Sequence, residues 1–234
     1  MRIDDPDVIE VEGPPPLEFP AEQVIAALSP VVTEARRRRI EAVVDQRTDQ
    51  VVIVLDAITD PHNASAVMRS ADAFGIQRIF VVEGSRGFVA SGGVAKGTHR
   101  WLDVVRYQSA TDCFQHLQAE GYEVHVAAMA GDRDPEALSR VGTKLALVFG
   151  NEHRGVSEEM SALADGTFAI PMVGFVESLN VSVAAAITMR SLARQGLEPM
   201  SEPKREALKA RFLMNSVNNA EEVIRAFLGN DAEP

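Results

Sequence analysis

Short continuous apolar runs recur along this chain, separated by stretches in which apolar residues return every three or four positions. VVIVLD (51–56), RIFVVE (78–83), YEVHVAAM (122–129), KLALVFG (144–150) and GTFAIPM (166–172) read as strands. The unbroken β-branched character of the first marks a strand buried on both faces. Between them lie helical patterns. Thr33 is an N-cap candidate for TEARRRRIEAVVDQR (33–47), with Ile40, Val43 and Val44 on one side. Asp60-Pro61 opens a helix that carries Ala64, Val67, Met68 and Ala71 inward and stops at Gly75. TDCFQHLQAEG (111–121) is closed by Gly121, and an Ala-rich helix runs from 179 to 195 before Gly196. Strand and helix in alternation predict an α/β fold, a parallel sheet flanked by helices. Ligands of such sheets bind outside the carboxyl ends of the strands, so the loops after Asp56, Gly150 and Ile170 are the informative ones.

The two ends of the chain break this pattern. Residues 1–31 combine acids with Pro14-Pro15-Pro16 and Pro20 and read as a mobile leader, within which AEQVIAALS (21–29) has the spacing of one short amphipathic helix. Residues 199–234 read as a helical extension with an acidic tail, which leaves 32–198 as one catalytic-sized domain.

Charge changes the picture only once it is located. The net charge of −11 argues against a polyanionic partner. Yet residues 1–35 hold eight acids against Arg2 alone, and residues 221–234 hold four against Arg225. Ten of the eleven net charges therefore sit in the termini, and the body is nearly neutral. The single cysteine, Cys113, excludes an internal disulfide and a multi-cysteine zinc site. No apolar run approaches the roughly 20 residues of a membrane span. The acidic start is unlike a signal peptide, so a cytoplasmic protein is expected. Signatures for dinucleotides (G-x-G-x-x-G), nucleoside triphosphates (G-K-[ST]), hydrolase elbows (G-x-S-x-G) and zinc (H-x-x-x-H) are all missing.

Three segments carry chemistry that a plain sheet protein does not need. In D-P-H-N-A-S-A-V-M-R (60–69), Asn63 starts the helix and Arg69 follows about 120° around it, so both border a groove at the strand ends. In V-F-G-N-E-H-R-G (148–155), Glu152 comes straight after a buried strand, where a carboxylate is costly unless it has a partner or a task. Ser157 with Glu158 and Glu159 is the ordinary start of a helix. In I-P-M-V-G-F-V-E-S-L-N-V-S-V-A (170–184), a proline, a glycine and small polar residues interrupt an apolar stretch and leave backbone groups available to a ligand. Each segment also has a purely structural explanation: a solvated arginine, helix caps, and alanines for close helix packing.

Together the three segments resemble the motifs of the SpoU (TrmH-type) RNA ribose 2′-O-methyltransferases, of the SPOUT class. N-x-x-A-x-x-R stands as Asn63, Ala66 and Arg69, N-E-x-x-G as Asn151, Glu152 and Gly155, and I-P-M…S-L-N-V-S-V-A as 170–184. The resemblance implies a C-terminal trefoil knot, a homodimer, and S-adenosyl-L-methionine held mostly by backbone at Ala127, Phe149, Gly150, Ile170, Met172, Ser178 and Leu179. It implies Arg69 as the catalytic residue, supported by Asn63, with Glu152, Ser178 and Asn180 shaping the site. Whether Arg69 acts as base or as an orienting cation stays open, since a guanidinium remains protonated. Helix 33–47 resembles that of the tRNA (guanosine-2′-O-)-methyltransferases acting at D-loop position eighteen, which implies tRNA binding by Arg36, Arg39, Arg47 and Arg194. Lys204, Arg205, Lys209 and Arg211 offer a second basic surface. No metal and no membrane are implied. Action on rRNA or another tRNA position, or a non-catalytic RNA-binding role, are the alternatives.

Overall fold

The parallel sheet exists because its central strands have nothing polar to show to water. A computed structural model describes residues 8–9, 17–83, 90–91, 97–138 and 142–230. Six parallel strands, β2 (Thr48–Asp56), β3 (Ile76–Val82), β5 (Asp103–Tyr107), β6 (Tyr122–Ala127), β7 (Lys144–Gly150) and β8 (Gly166–Phe168), lie in the order β5-β3-β2-β7-β6-β8. Along β2, Val51, Ile53 and Leu55 enter one hydrophobic cluster while Val52 and Val54 enter the other. On β7, Leu145, Leu147 and Phe149 alternate with Ala146 and Val148 in the same way. This period of two, with both faces apolar, is why the runs look continuous in sequence.

Helices cover both faces. α3 (Pro61–Ala73) supplies Ala64, Val67, Met68 and Ala71 to the first cluster, and α7 (Val181–Ala193) supplies Ala185, Met189 and Leu192. α4 (Ala110–Ala119) and α6 (Glu158–Leu163) close the second with Cys113, Phe114, Leu117 and Met160. α5 (Pro135–Leu138) is a single turn that packs on α7. Asp60, Ser109, Ser157 and Asn180 each accept a backbone N–H of the first turn of their helix. Outside the main sheet, β1 (Val8–Ile9) pairs antiparallel with β4 (Ala90–Ser91).

The chain divides into two units. The first is residues 1–14 with 48–198, and the second is 15–47 with 199–234. The second contains α1 (Ala21–Leu28), α2 (Glu34–Val44), α8 (Glu202–Met214) and α9 (Ala220–Asn230). α1 packs on α8 and α9 and buries Val24, Ala27 and Leu28, while α2 packs on α8 through Ile40 and Val44. Two expectations change here. The basic helix 33–47, expected inside a 32–198 domain, groups with the C-terminal helices, where its apolar residues Ile40 and Val44 are buried. The leader expected over 1–31 is not mobile throughout: α1 is a packed helix whose inward face is apolar. Residues 1–7 and 10–16 of that leader, and 231–234 of the tail, lie outside the described residues.

Candidate active site

The three sequence motifs meet at the carboxyl ends of β2 and β7. β2 ends at Asp56, in register with Gly150 of β7, and both strands release their chains at the same edge. Ala57 then adopts a left-handed conformation (φ 53°), turning the chain towards the start of α3. Asp56 is buried, and its carboxylate accepts the Ser157 N–H at 2.7 Å, which ties the end of β2 to the start of α6.

From this edge a continuous polar chain runs across the motifs. The Asn180 side-chain amide donates to Asn63 Oδ1 at 3.0 Å, and Asn63 Nδ2 donates to Glu152 Oε1 at 2.9 Å. Glu152 also accepts from the Asp60 N–H at 3.4 Å and from the backbone and hydroxyl of Thr59 at 3.5 and 3.3 Å. Asn180 Oδ1 in turn accepts the Ser182 N–H at 2.8 Å and so caps α7. Asn63 is 8% exposed and uses both ends of its amide, which fixes the amide's orientation. Partial burial pushes the Glu152 carboxyl up, but the Asn63 amide and the backbone donors of Thr59 and Asp60 outweigh it and hold it below the ordinary carboxylate value. Glu152 is therefore an anion that receives hydrogen bonds, not an acid waiting to donate one.

Beside this chain stands a wall of backbone. Asn151 and Gly155 exchange both backbone hydrogen bonds at 2.9 Å, closing a tight loop in which Gly155 has φ 71°. A Cβ on Gly150 would sit 2.1 Å from the Gly155 carbonyl carbon, so only glycine fits. Asn151 anchors the loop by donating to the Ala57 carbonyl at 2.9 Å. Phe149 meets Phe168 edge-to-face at 5.8 Å, and the Phe168 carbonyl accepts the Ala128 N–H just past Ala127. Then the chain leaves regular structure. From 170 to 179 no backbone–backbone hydrogen bond is described, and Pro171 has no N–H to give. A ligand recognised by main-chain donors and acceptors fits such a loop, and half-buried Ile170, Met172 and Leu179 give it apolar sides.

A family model described as the SpoU rRNA Methylase family matches residues 50–190, more than half of the sequence. The chain belongs to this family. It is 38% identical over 166 residues, 71% of this chain and 86% of the relative, to a protein of Thermus thermophilus named tRNA (guanosine(18)-2′-O)-methyltransferase. Among solved structures, the A. aeolicus TrmH/SpoU tRNA modifying enzyme superposes with a TM-score of 0.69 at 25% identity, covering 80% of this chain and 98% of that one. The SpoU methyltransferase AviRb of Streptomyces viridochromogenes, solved in complex with AdoMet, gives a TM-score of 0.56 at 29% identity, covering 64% and 61%.

For a SpoU methylase, the site is divided between fixed and exposed groups. Asn63, Glu152 and Asn180 are joined, and Phe149 and Gly150 form the adjoining wall. Arg69 is exposed on α3, the helix whose first turn carries Asn63. Ser178 is exposed in the 170–179 loop. Arg194 lines an open cavity of about 670 Å³ with Glu136, Ile187 and Arg190, roughly 20 Å along α7 from Asn180.

In the helical unit, Arg36 and Arg39 are exposed, and Arg36 Nε donates to Ser216 Oγ at 3.1 Å. Arg47 corrects an expectation. It is 1% exposed and lies 5.8 Å from the centre of the Phe212 ring, so its guanidinium packs inside the unit and is not presented to RNA. Sequence reasoning also passed over Asp56 and Thr59. The cost of a carboxylate at the end of a buried strand, applied to Glu152, held equally for Asp56. Among the described residues no group of acids, histidines and cysteine could hold a metal ion, and no helix is long and apolar enough to cross a membrane.

Proposed function

We propose that this SpoU methylase transfers a methyl group from S-adenosyl-L-methionine to the ribose 2′-hydroxyl of the guanosine at position eighteen in the tRNA D-loop. The observation that carries the reading is the Asn180–Asn63–Glu152 chain, which joins three motifs 89 and 117 positions apart at one strand edge. The irregular backbone of 170–179, beside Gly150 and Phe149, supports a methyl donor held by main-chain groups. When bound, the donor supplies a methyl already activated by its sulfonium. The protein's contribution is then chiefly positioning. Glu152, ionised and held by Asn63, Thr59 and Asp60, keeps the loop after β7 fixed against the start of α3. Arg69, on the exposed side of that helix, orients the ribose hydroxyl and stabilises the charge that develops on it, a role suited to a guanidinium that keeps its proton.

The proposal extends to assembly. Phe175 and Val173 are fully exposed, and Val176, Val183 and Ile187 are exposed beside them in sequence. Such a group of large apolar side chains supports a homodimer formed through this loop and α7. The position of β8 beyond β6, with α7 returning to pack on α3, supports the trefoil knot expected of the family. Exposed Arg36, Arg39 and Arg194 support contact with tRNA, and a tRNA substrate supports a cytoplasmic enzyme.

Incubation with unmodified tRNA transcript and labelled methyl donor, followed by mapping of ribose methylation, tests the reading. Label at guanosine eighteen supports it. Label at another position of the transcript, or no transfer to it, overturns it.

A further inference from the structure

A ribose that presents its 2′-hydroxyl brings a charge with it. The 3′ phosphodiester is bonded to the sugar carbon next to the one bearing that hydroxyl, so it arrives at the site together with the reacting group. Arg69 is assigned to the hydroxyl, which leaves the phosphate to be met by another group. The turn after β7 carries a guanidinium suited to it. Asn151 and Gly155 exchange backbone hydrogen bonds at 2.9 Å, and Asn151 Oδ1 accepts the N–H groups of His153 at 2.9 Å and of Arg154 at 3.2 Å. The same side chain donates to the Ala57 carbonyl at 2.9 Å. Glu152 accepts from Asn63 at 2.9 Å, and the Ser157 N–H donates to Asp56 at 2.7 Å. The turn is thus tied to the end of β2 and the start of α3 through residues 151, 152 and 157. Its tip, His153 and Arg154, is exposed. The Arg154 Cα lies within about 7 Å of that of Glu152, two residues back. Among the described residues the Arg154 guanidinium makes no hydrogen bond or ion pair, so its donors face no competitor for an anion. A guanidinium matches a phosphate with two parallel hydrogen bonds, and a mount that is already fixed loses little freedom when they form.

We propose that Arg154 binds the phosphodiester on the 3′ side of the target guanosine and thereby fixes how its ribose enters the site. The proposal deepens the RNA-methyltransferase reading and rests on it. Arg69 and Arg154 then divide the nucleotide between them: one meets the hydroxyl, the other the adjacent phosphate. A phosphate contact carries no sequence information, so Arg154 sets register and leaves the choice of base to other contacts.

The side chain can be removed without disturbing the turn, because Arg154 holds Asn151 through its backbone N–H. In the full-length chain, Arg154→Ala should bind unmodified tRNA about tenfold more weakly and lower the salt slope by about 1. Its melting temperature and its affinity for S-adenosyl-L-methionine should stay unchanged. Arg154→Lys should keep the slope. The linkage is identified with tRNA assembled from synthetic halves, carrying 2′-deoxyguanosine at position eighteen and either a phosphate or an uncharged methylphosphonate on its 3′ side. The natural sequence should bind the neutral linkage about tenfold more weakly, whereas Arg154→Ala should bind the two RNAs alike. Undiminished binding by Arg154→Ala overturns the proposal, and so does an equal penalty for the neutral linkage in both proteins. The deoxyguanosine takes methyl transfer out of this measurement. Absence of methylation at guanosine eighteen of the ordinary transcript therefore overturns the proposed function, whereas methylation there without coupling at the linkage overturns the role of Arg154 alone.

Discussion

At the amino ends of the strands, Arg78 donates to both oxygens of Glu120 and to the Tyr122 hydroxyl, which itself donates a hydrogen bond to the Asp49 carbonyl at 2.5 Å. Lys144 donates to the Glu120 carbonyl at 3.0 Å and lies 4.8 Å over the Tyr122 ring. His116 adds a 2.8 Å contact to the same carboxylate. At the carboxyl ends, the described donors to Glu152 are neutral: the Asn63 amide, the Thr59 hydroxyl and the backbone N–H groups of Thr59 and Asp60. Each cluster draws on several elements and includes one partly buried carboxylate. In one, opposite charges neutralise each other and pack beneath the sheet. In the other, neutral donors fix an anion beside a loop whose backbone is irregular. A polar cluster closed by ion pairs holds a fold together, whereas one held by neutral dipoles keeps its charge and its surroundings available to a substrate.

The sharpest way to break this contrast is at Arg69. Arg69→Ala should lower methyl transfer by about 100-fold, comparable to loss of one preorganised donor to developing charge, with the circular dichroism spectrum unchanged. Undiminished transfer would remove Arg69 from the reaction. Next come the neutral-donor residues. Asn63→Ala takes one hydrogen-bond partner from Glu152 and one from Asn180, so kcat should fall about tenfold, and stability by ~1–3 kcal/mol in urea titrations. Loss of stability with kcat intact would make the network a structural one, like its counterpart across the sheet.

The opposite end should respond to pH and not to substrate. Arg78 holds the Glu120 carboxyl down at about 2, outweighing burial. A depressed pKa contributes stability that is present above the unfolded value of about 4.5 and is lost as pH falls from there towards 2. Glu120→Gln should therefore flatten the acid limb of a stability profile while methyl transfer at neutral pH stays unchanged. A drop in transfer would mean that the two ends are coupled. The smallest effects are expected in the helical unit. Arg36→Ala with Arg39→Ala should weaken tRNA binding a few-fold and reduce the salt slope by about 1–2. Arg47→Ala should lower the melting temperature without moving that slope, because its guanidinium packs near Phe212.

Much of this was legible before the fold was known. Runs such as VVIVLD and KLALVFG declared the central strands, and Asp60, Gly75 and Gly121 marked helix ends that the structure places within a residue or two. The edge strand β5 was not seen, because only Val104 of DVVRY is fully buried and its charged neighbours break the apolar run. The strand read through 172 stops at Phe168, since Pro171 and the loop after it end the ladder. Within the site, Asn63, Glu152 and Asn180 could each be picked out from motif and spacing, but their hydrogen bonds depend on how three distant segments fold to one edge. Arg47 was misjudged for a related reason. A basic residue near R-R-R-R looks like surface, and the ring that lies near it is 165 positions away.

The crowding at Gly150 has a bearing on any survey of substitutions across this chain. Every side chain there collides with main-chain atoms of Gly155 and Val156, so the position will score as intolerant as any reacting group. Yet a glycine contributes no reactive atom. Its intolerance records how closely two passes of the polypeptide are laid against each other, and a map of mutational damage will trace that seam as brightly as it traces the chemistry.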